Sequence, residues 1–108
     1  MQLLALGDSV TLGDMTVSVT ALRDTADRTL VDVTMVGVTE AQAMDGWKLV
    51  ASGKVSNPVL LPVGEGTECT LTKLTEILVC TVAFPVSEGT RTIAYTRAGE
   101  IRQWATAP

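Results

Sequence analysis

Two cysteines are the residues of this chain whose chemistry is simplest to define from the sequence. Cys69 and Cys80 are the only cysteines among 108 residues, and each falls in a segment that alternates like a β-strand. An antiparallel hairpin of these strands would place the thiols nearly opposite each other, so we expect a disulfide closing a loop of about a dozen residues. Two buried free thiols are the alternative, because cysteine packs as a small hydrophobic residue. A zinc site needs about four ligands, and a chain without histidine cannot readily supply them.

Three aspartates are the other candidates for ligand chemistry. Asp24, Asp27 and Asp32 could offer oxygen atoms to Ca²⁺, but calcium takes about six to eight oxygens and this spacing is not that of an EF-hand loop. Aspartate is also common in turns, and we therefore interpret 23–28 as a polar turn. The glycine-containing stretch 62–66 lacks the lysine of a phosphate-binding loop and is interpreted as a turn as well. We expect neither a metal nor a cofactor.

Ser9 is the one candidate nucleophile. The stretch 3–11, Leu-Leu-Ala-Leu-Gly-Asp-Ser-Val-Thr, resembles the first block of the GDSL (SGNH) hydrolases, in which an apolar strand delivers the nucleophilic serine. That family activates its serine with a histidine near the C-terminus, and this chain contains no histidine. The sequence therefore predicts that Ser9 lies in a polar turn entering the first hairpin. We expect no catalytic residue and no enzyme activity.

The elements that would position these residues are strands. Sixteen Thr and fourteen Val make up more than a quarter of the chain, and β-branched residues favour strands over helices. Period-two alternation, interrupted by turn residues about every ten positions, predicts about seven strands and hence a sandwich or a barrel in one domain, 1–108. The predicted strands are 15–21, 31–35, 47–51, 67–72, 77–84, 93–95 and 101–104. In 77–84, we expect Leu78, Cys80, Val82 and Phe84 to share one face. We leave the conformation of 40–45 open.

The two tryptophans are predicted to lie in the core. A tryptophan in a small sandwich is usually buried, and its indole N–H then finds a hydrogen-bond partner. This applies to Trp47 and Trp104. The alternative for Trp104, close to the C-terminus, is an edge position at which it contacts a partner.

Charge and hydropathy exclude several partners. The formal net charge is −4 and the eight Lys and Arg are scattered, so we expect binding neither to nucleic acid nor to an anionic membrane surface. No apolar run reaches the eighteen or so residues of a membrane-spanning helix. The stretch 1–6 is too short for a signal-peptide core. Either the chain is cytosolic, or a signal or lipid anchor precedes Met1.

Both ends of the chain resemble a known family. Val82 to Thr90, followed by Ile93-Ala94-Tyr95 and the closing Trp104, is similar to the C-terminal signature of telokin-like, immunoglobulin-like extracellular domains of Gram-positive bacteria, mainly actinobacteria and firmicutes. These domains occur in lipoproteins and secreted antigens. The stretch 7–17 resembles the first hairpin of the same domains, whereas 40–66 and the cysteine pair are outside the matching pattern. The resemblance implies an immunoglobulin-like sandwich, export behind a signal or lipid anchor, and no catalysis.

These observations together define the expectation for this chain. We expect an all-β, immunoglobulin-like antiparallel β-sandwich of about seven strands. Its expected role is that of a non-enzymatic, exported or cell-envelope domain that binds a protein or envelope partner through end loops or a sheet edge. The alternative is a cytosolic or phage and virion assembly module that associates through its strand edges.

Overall fold

The computed structural model of the chain describes residues 3–12, 15–37, 46–51, 53–59, 61, 64–67, 77–87, 89–97 and 99–105. Within these residues the chain forms eight strands and no helix. The strands are β1 (Ser9–Leu12), β2 (Met15–Asp24), β3 (Arg28–Val36), β4 (Trp47–Ala51), β5 (Lys54–Ser56), β6 (Leu78–Pro85), β7 (Arg91–Arg97) and β8 (Glu100–Ala105). The predicted strand content is confirmed, with eight strands where about seven were expected.

The strands form two antiparallel sheets of four strands each. One sheet has the order β1-β2-β3-β6 and the other the order β5-β4-β7-β8. Two of these neighbours are far apart in sequence, because β3 pairs with β6 and β4 pairs with β7. Strands B and E, and strands C and F, are neighbours in the same way in the two sheets of an immunoglobulin-like sandwich. The predicted all-β antiparallel sandwich is therefore confirmed.

The core lies between the two sheets and follows the alternation seen in the sequence. In β6, the residues Leu78, Cys80, Val82 and Phe84 are all buried and belong to one core cluster, which confirms their predicted shared face. Residues of the other sheet face them across the interior. The buried residues contributed by that sheet are Trp47, Leu49, Ile93, Tyr95 and Trp104.

Three aromatic rings fill one part of this core. The Trp47 ring lies 4.5 Å from the Tyr95 ring and 5.9 Å from the Trp104 ring, centroid to centroid, with tilted planes. Both tryptophans are fully buried, so their predicted core position is confirmed, and the edge-contact alternative for Trp104 is not what the structure shows. The Trp104 indole N–H donates to the Asp8 carbonyl oxygen at 3.0 Å. The Trp47 indole N–H has no hydrogen-bond partner among the described residues.

A β-bulge in β2 changes which side chains face the core. Val17 pairs with Met35 and Val19 with Val33, but beyond Thr20 the register shifts, and Ala21 pairs with Asp32. One extra residue in a strand reverses the alternation that follows it. The bulge thereby places Arg23 on the outer face of the sheet and Asp24 on the inner side. Both of these residues form ion pairs.

Short elements account for the differences from the sequence prediction. The strand β5 has only three residues, too few to produce a periodic pattern. The turn predicted at 23–28 has only three residues in the structure, 25–27, because β2 and β3 extend to either side of it. The Thr25 N–H donates to the Arg28 carbonyl at 2.9 Å and closes the turn. Residues 40–45, and the predicted strand 67–72 beyond Thr67, lie outside the described residues.

The two tryptophans provide a matched pair for testing the core. We expect Trp104→Phe to lower the free energy of unfolding by about 1 kcal/mol more than Trp47→Phe. Both changes remove part of a buried ring, but only the first removes a hydrogen bond seen in the structure. Urea denaturation followed by far-UV circular dichroism measures the difference. Equal losses would show that the Trp104–Asp8 bond contributes nothing net.

Candidate functional site

Arg23 and Asp32 form an ion pair on the outer face of the first sheet. The Arg23 Nε and Nη2 atoms donate to the two Asp32 carboxylate oxygens at 2.9 and 2.8 Å, a two-point contact. This hydrogen-bonded pair raises the pKa of Arg23. The Thr81 hydroxyl donates to the same Asp32 carboxylate at 2.8 Å, and Arg23 Nη2 also donates to the Glu65 carbonyl at 3.2 Å. The pair therefore ties β2, β3 and β6 to the segment that contains Glu65.

A second ion pair links the two sheets at one end of the sandwich. Arg91 of β7 donates to both carboxylate oxygens of Asp24 in β2, with distances of 2.6 and 2.9 Å. Arg91 Nη1 also donates to the Ser87 carbonyl at 3.2 Å. The hydrogen bond from Arg91 has the largest effect on the pKa of Asp24 and lowers it. Burial opposes this effect, and the positive charge of Arg91 and a hydrogen bond from Thr29 lower the pKa further. This pair serves the packing of one sheet on the other.

The three aspartates considered as calcium ligands are not gathered into one site. Asp24 points to the inner side and Asp32 to the outer face of the same sheet, and each is held by an arginine. Asp27 lies exposed in the turn between β2 and β3. Within the described part of the chain, no cluster of three or more His, Cys, Asp or Glu could hold a metal ion. The predicted turn is therefore observed, and its neighbouring carboxylates have structural partners.

Ser9 is placed at the beginning of β1, exposed, with Ser18 of β2 as its register partner. Its neighbour Asp8 accepts a hydrogen bond from the Ala5 N–H at 2.9 Å through the side chain. Gly7 precedes them with a φ of 95°, a conformation that favours glycine and turns the chain into the hairpin. The turn lies before Ser9, at Leu6 and Gly7. The prediction that Ser9 itself lies in the turn is therefore wrong, because Ser9 already pairs with β2 as the first residue of β1.

Cys80 is the described member of the cysteine pair. It is buried in the core on β6, and it is not a free thiol. Cys69 lies outside the described residues, so the predicted pairing of Cys69 with Cys80 stays a prediction. The sequence predicts no catalytic or cofactor-binding residue whose position could be compared with the structure.

The exposed surface offers aliphatic side chains and no aromatic ones. All four aromatic residues of the chain, Phe84 and the Trp47–Tyr95–Trp104 cluster, are buried. Val36, Ile77 and Val79, which we call the aliphatic patch, are exposed by 42, 61 and 67%. Aromatic residues are frequent anchors of protein interfaces, so any docking surface on the described residues must rely on other side chains.

The aliphatic patch lies on the outer face of the first sheet, where β3 and β6 meet. Met35 pairs with Leu78 and both are buried, so the residues beside them point outward. Thr34 is the register partner of Val79, and Thr16 is the register partner of Val36. The patch and these neighbours carry no charge. Among the described residues, this end of the sheet is therefore a surface of methyl and hydroxyl groups without charge.

The sequence contains a signal for this patch that period-two alternation does not detect. The stretch 77–84, Ile-Leu-Val-Cys-Thr-Val-Ala-Phe, is apolar on both of its faces, with Thr81 as its one polar side chain. Alternation assigns the inner residues of this strand to the core and makes no prediction for Ile77 and Val79. A strand with one solvent-exposed face normally carries polar residues on that face. A continuous apolar run therefore indicates a strand whose two faces are both covered, either by the fold or by a binding partner.

Comparisons with known proteins leave the family open. No protein-family model matches the chain, and neither a curated protein nor a solved structure does. The resemblance to telokin-like extracellular domains therefore stays a prediction. In the described residues no helix has the length and apolar character to span a membrane.

The Asp24–Arg91 pair generates a pH prediction. Because the pKa of Asp24 is lower in the folded chain than its ordinary value of 3.8, ionised Asp24 stabilises the fold above that pH. This stabilisation is lost as the pH falls through the folded-state value. We expect Asp24→Asn to lower the free energy of unfolding by about 1 kcal/mol or less at pH 7, since the carboxylate is half exposed. The deficit should shrink below pH 4.

Asp27→Asn is the matched control for this prediction, because Asp27 is an exposed carboxylate in the adjacent turn. We expect it to change stability little at either pH. Urea titrations at pH 7 and pH 3 measure both variants. A deficit of Asp24→Asn that is equally large at both pH values would contradict the role of the charged pair.

Proposed function

We propose that this chain is a non-enzymatic, exported or cell-envelope β-sandwich domain that binds a protein partner. The observation that carries the proposal is the aliphatic patch, three large apolar side chains exposed together where the described neighbours carry no charge. Exposed apolar groups that lie together are typical of interaction sites. The patch is small, so it would form the centre of a modest interface with a polar rim.

The residues that could do chemistry support a binding role rather than catalysis. Ser9 has a serine as its cross-strand neighbour, and the chain lacks a histidine to activate it. Asp24 and Asp32 have arginine partners and face opposite sides of their sheet. A nucleophile and its base must lie within hydrogen-bonding reach of each other, and these residues offer no such pair.

The predicted disulfide supports export. The Thr81 N–H donates to the Thr67 carbonyl at 2.7 Å, so the chain passes beside β6 two residues before Cys69 and one residue after Cys80. Two residues span about 7 Å at most, and the Cα atoms of a disulfide lie about 4.4–6.8 Å apart. A Cys69–Cys80 bridge is therefore compatible with the described backbone. Such bridges persist in oxidising compartments outside the cytoplasm.

A second candidate function is assembly with further copies of the chain. The uncharged aliphatic patch favours it too, because identical copies of an acidic chain repel each other least where they carry no charge. This candidate does not require export, and a phage or virion component would be an example.

Thiol titration tests the compartment argument. We expect protein purified without reductant and unfolded in guanidinium chloride to show no reactive thiol, and the same protein after reduction to show two. Reduction should also lower the free energy of unfolding by about 3 kcal/mol, the chain-entropy value for a loop of about a dozen residues. Two reactive thiols before reduction would remove the bridge and with it this support for export.

Peptide selection tests the docking surface. Random peptides displayed on phage and selected on the immobilised domain should be enriched in aliphatic residues, and at least half of them should lose about tenfold or more in affinity for Ile77→Lys. Val55→Lys is the matched control, because Val55 on β5 is exposed by the same 61% as Ile77. Peptides that bind both variants as they bind the original protein would contradict the proposal.

A further inference from the structure

The described N-terminal segment passes from one sheet of the sandwich to the other. Leu4 lies beside β8, because its N–H donates to the Gln103 carbonyl at 2.9 Å and its carbonyl accepts from the Ala105 N–H at 2.8 Å. Further along the segment, the Gly7 N–H donates to a carbonyl oxygen of β2 at 2.7 Å. We call residues 4–8 the clasp, since they join β8 of the second sheet to β2 of the first.

A tight turn inside the clasp fixes its shape. The Asp8 N–H donates to the Ala5 carbonyl at 3.0 Å, and the Ala5 N–H donates to the Asp8 carboxylate at 2.9 Å. The Asp8 carbonyl accepts the Trp104 indole N–H at 3.0 Å, and the Leu4 side chain packs against the core. The backbone bonds of Leu4 and this indole bond thus join the clasp to residues 103–105 of β8.

The clasp and β8 run in the same direction. The bridge between Leu4 and Trp104 is parallel, whereas the pairs between the named strands are antiparallel. In a parallel pair, the residues before Leu4 lie toward the start of β8 at Glu100, and the chain after Ala105 continues past the other end of the pair. At these two positions the chain therefore points away from the pair in opposite directions.

These opposite directions determine how tension acts on the pair. When the chain is pulled from before Leu3 and from after Ala105, the clasp and β8 slide along each other, and the hydrogen bonds between them are stretched together. In a hairpin pulled from its two open ends, the bonds break one after another instead. Forced unfolding is governed by the unfolding rate, and bonds that must break together slow this rate more than the same bonds broken in turn.

We propose that the clasp has a mechanical function, which is to keep the sandwich folded while tension acts on both ends of the chain. It joins the first described residues directly to the last strand. Tension therefore passes through the clasp and β8 and bypasses the other strands. The inference does not depend on the proposed docking surface, because the aliphatic patch takes no part in it. In a cell envelope, it would add the role of a spacer that resists tension.

Force spectroscopy at constant force tests this function on the full chain. Handles at the two ends of the chain make the clasp and β8 slide along each other. In a second arrangement, one handle stays at the N-terminal end and the other is attached to an azide-bearing side chain that replaces the exposed Glu100, so that the clasp is peeled from β8. We expect the folded state to last about tenfold longer or more in the first arrangement at the same force.

Two matched pairs of variants test the hydrogen bonds themselves. Leu4→Pro lacks the N–H that donates to Gln103, and Leu4→Ala retains it. Val59→Pro and Val59→Ala are the control pair, because the Val59 N–H donates to the Ala83 carbonyl at 2.8 Å beside β6, outside the path of the force. Under end-to-end force, we expect Leu4→Pro to unfold about fivefold faster than Leu4→Ala, and the two Val59 variants to differ by less than about twofold.

Urea denaturation of the four variants measures their stability without force, and we expect the two prolines to lower it by similar amounts. Equal lifetimes in the two pulling arrangements would overturn the inference. An equal effect of both prolines under force would also overturn it, because it would reflect a general loss of stability. A third contrary result is a short first extension, of the clasp alone, before the sandwich unfolds. If Leu4→Pro fails to fold, the two pulling arrangements still decide, because they leave the clasp unchanged.

Discussion

One extra residue in β2 determines how the charges of this sandwich are distributed. The bulge at Thr20 reverses the alternation of the strand, so that Arg23 faces outward to Asp32 and Asp24 faces the second sheet and Arg91. Without it, Arg23 would point into an apolar interior, where an unpaired charge is strongly unfavourable. The Thr20 hydroxyl donates to the Asp32 carbonyl at 3.1 Å, which satisfies one backbone group beside the irregular position. Both ion pairs, and the hydrogen bond from Arg23 to the Glu65 carbonyl, depend on this local shift.

Two of the aspartates that the sequence offers as ligands are held in ion pairs within the fold, whereas the proposed interaction surface consists of apolar side chains. The two arginine–aspartate pairs link strands and sheets, whereas Val36, Ile77 and Val79 do not belong to the core. The exposure of these three side chains is therefore not explained by a contribution to stability. The outer face of β6 is partly covered near Thr81, where Gly66 approaches, and is exposed at Ile77 and Val79.

The fold followed from local patterns, and the arrangement of charges did not. Alternation located β2, β3, β6 and the residues of their inner faces, because a period of two is written directly into the sequence. The bulge has no comparable signature in the sequence, because 15–21 looks like a regular strand and 23–28 like a polar turn. Only the pairing with β3 shows that Asp24 belongs to the strand. The partner of Arg91 is 67 residues away, and pairing at that distance depends on how the sheets stack. The aliphatic patch could be predicted from the sequence, because 77–84 is apolar at the positions of both faces.

Burial of every aromatic ring has a consequence for how this domain can be observed. With Trp47 in contact with Tyr95 and Trp104, the tryptophan and tyrosine absorption and fluorescence of the chain arise from one interior cluster. The emission should be shifted to short wavelengths, and iodide in the solvent should fail to quench it while the sheets remain packed. A ligand on the outer surface leaves this cluster untouched. The intrinsic fluorescence of the domain therefore reports on the separation of its two sheets. The fluorescence of a tryptophan in a bound protein would be measured against this constant background.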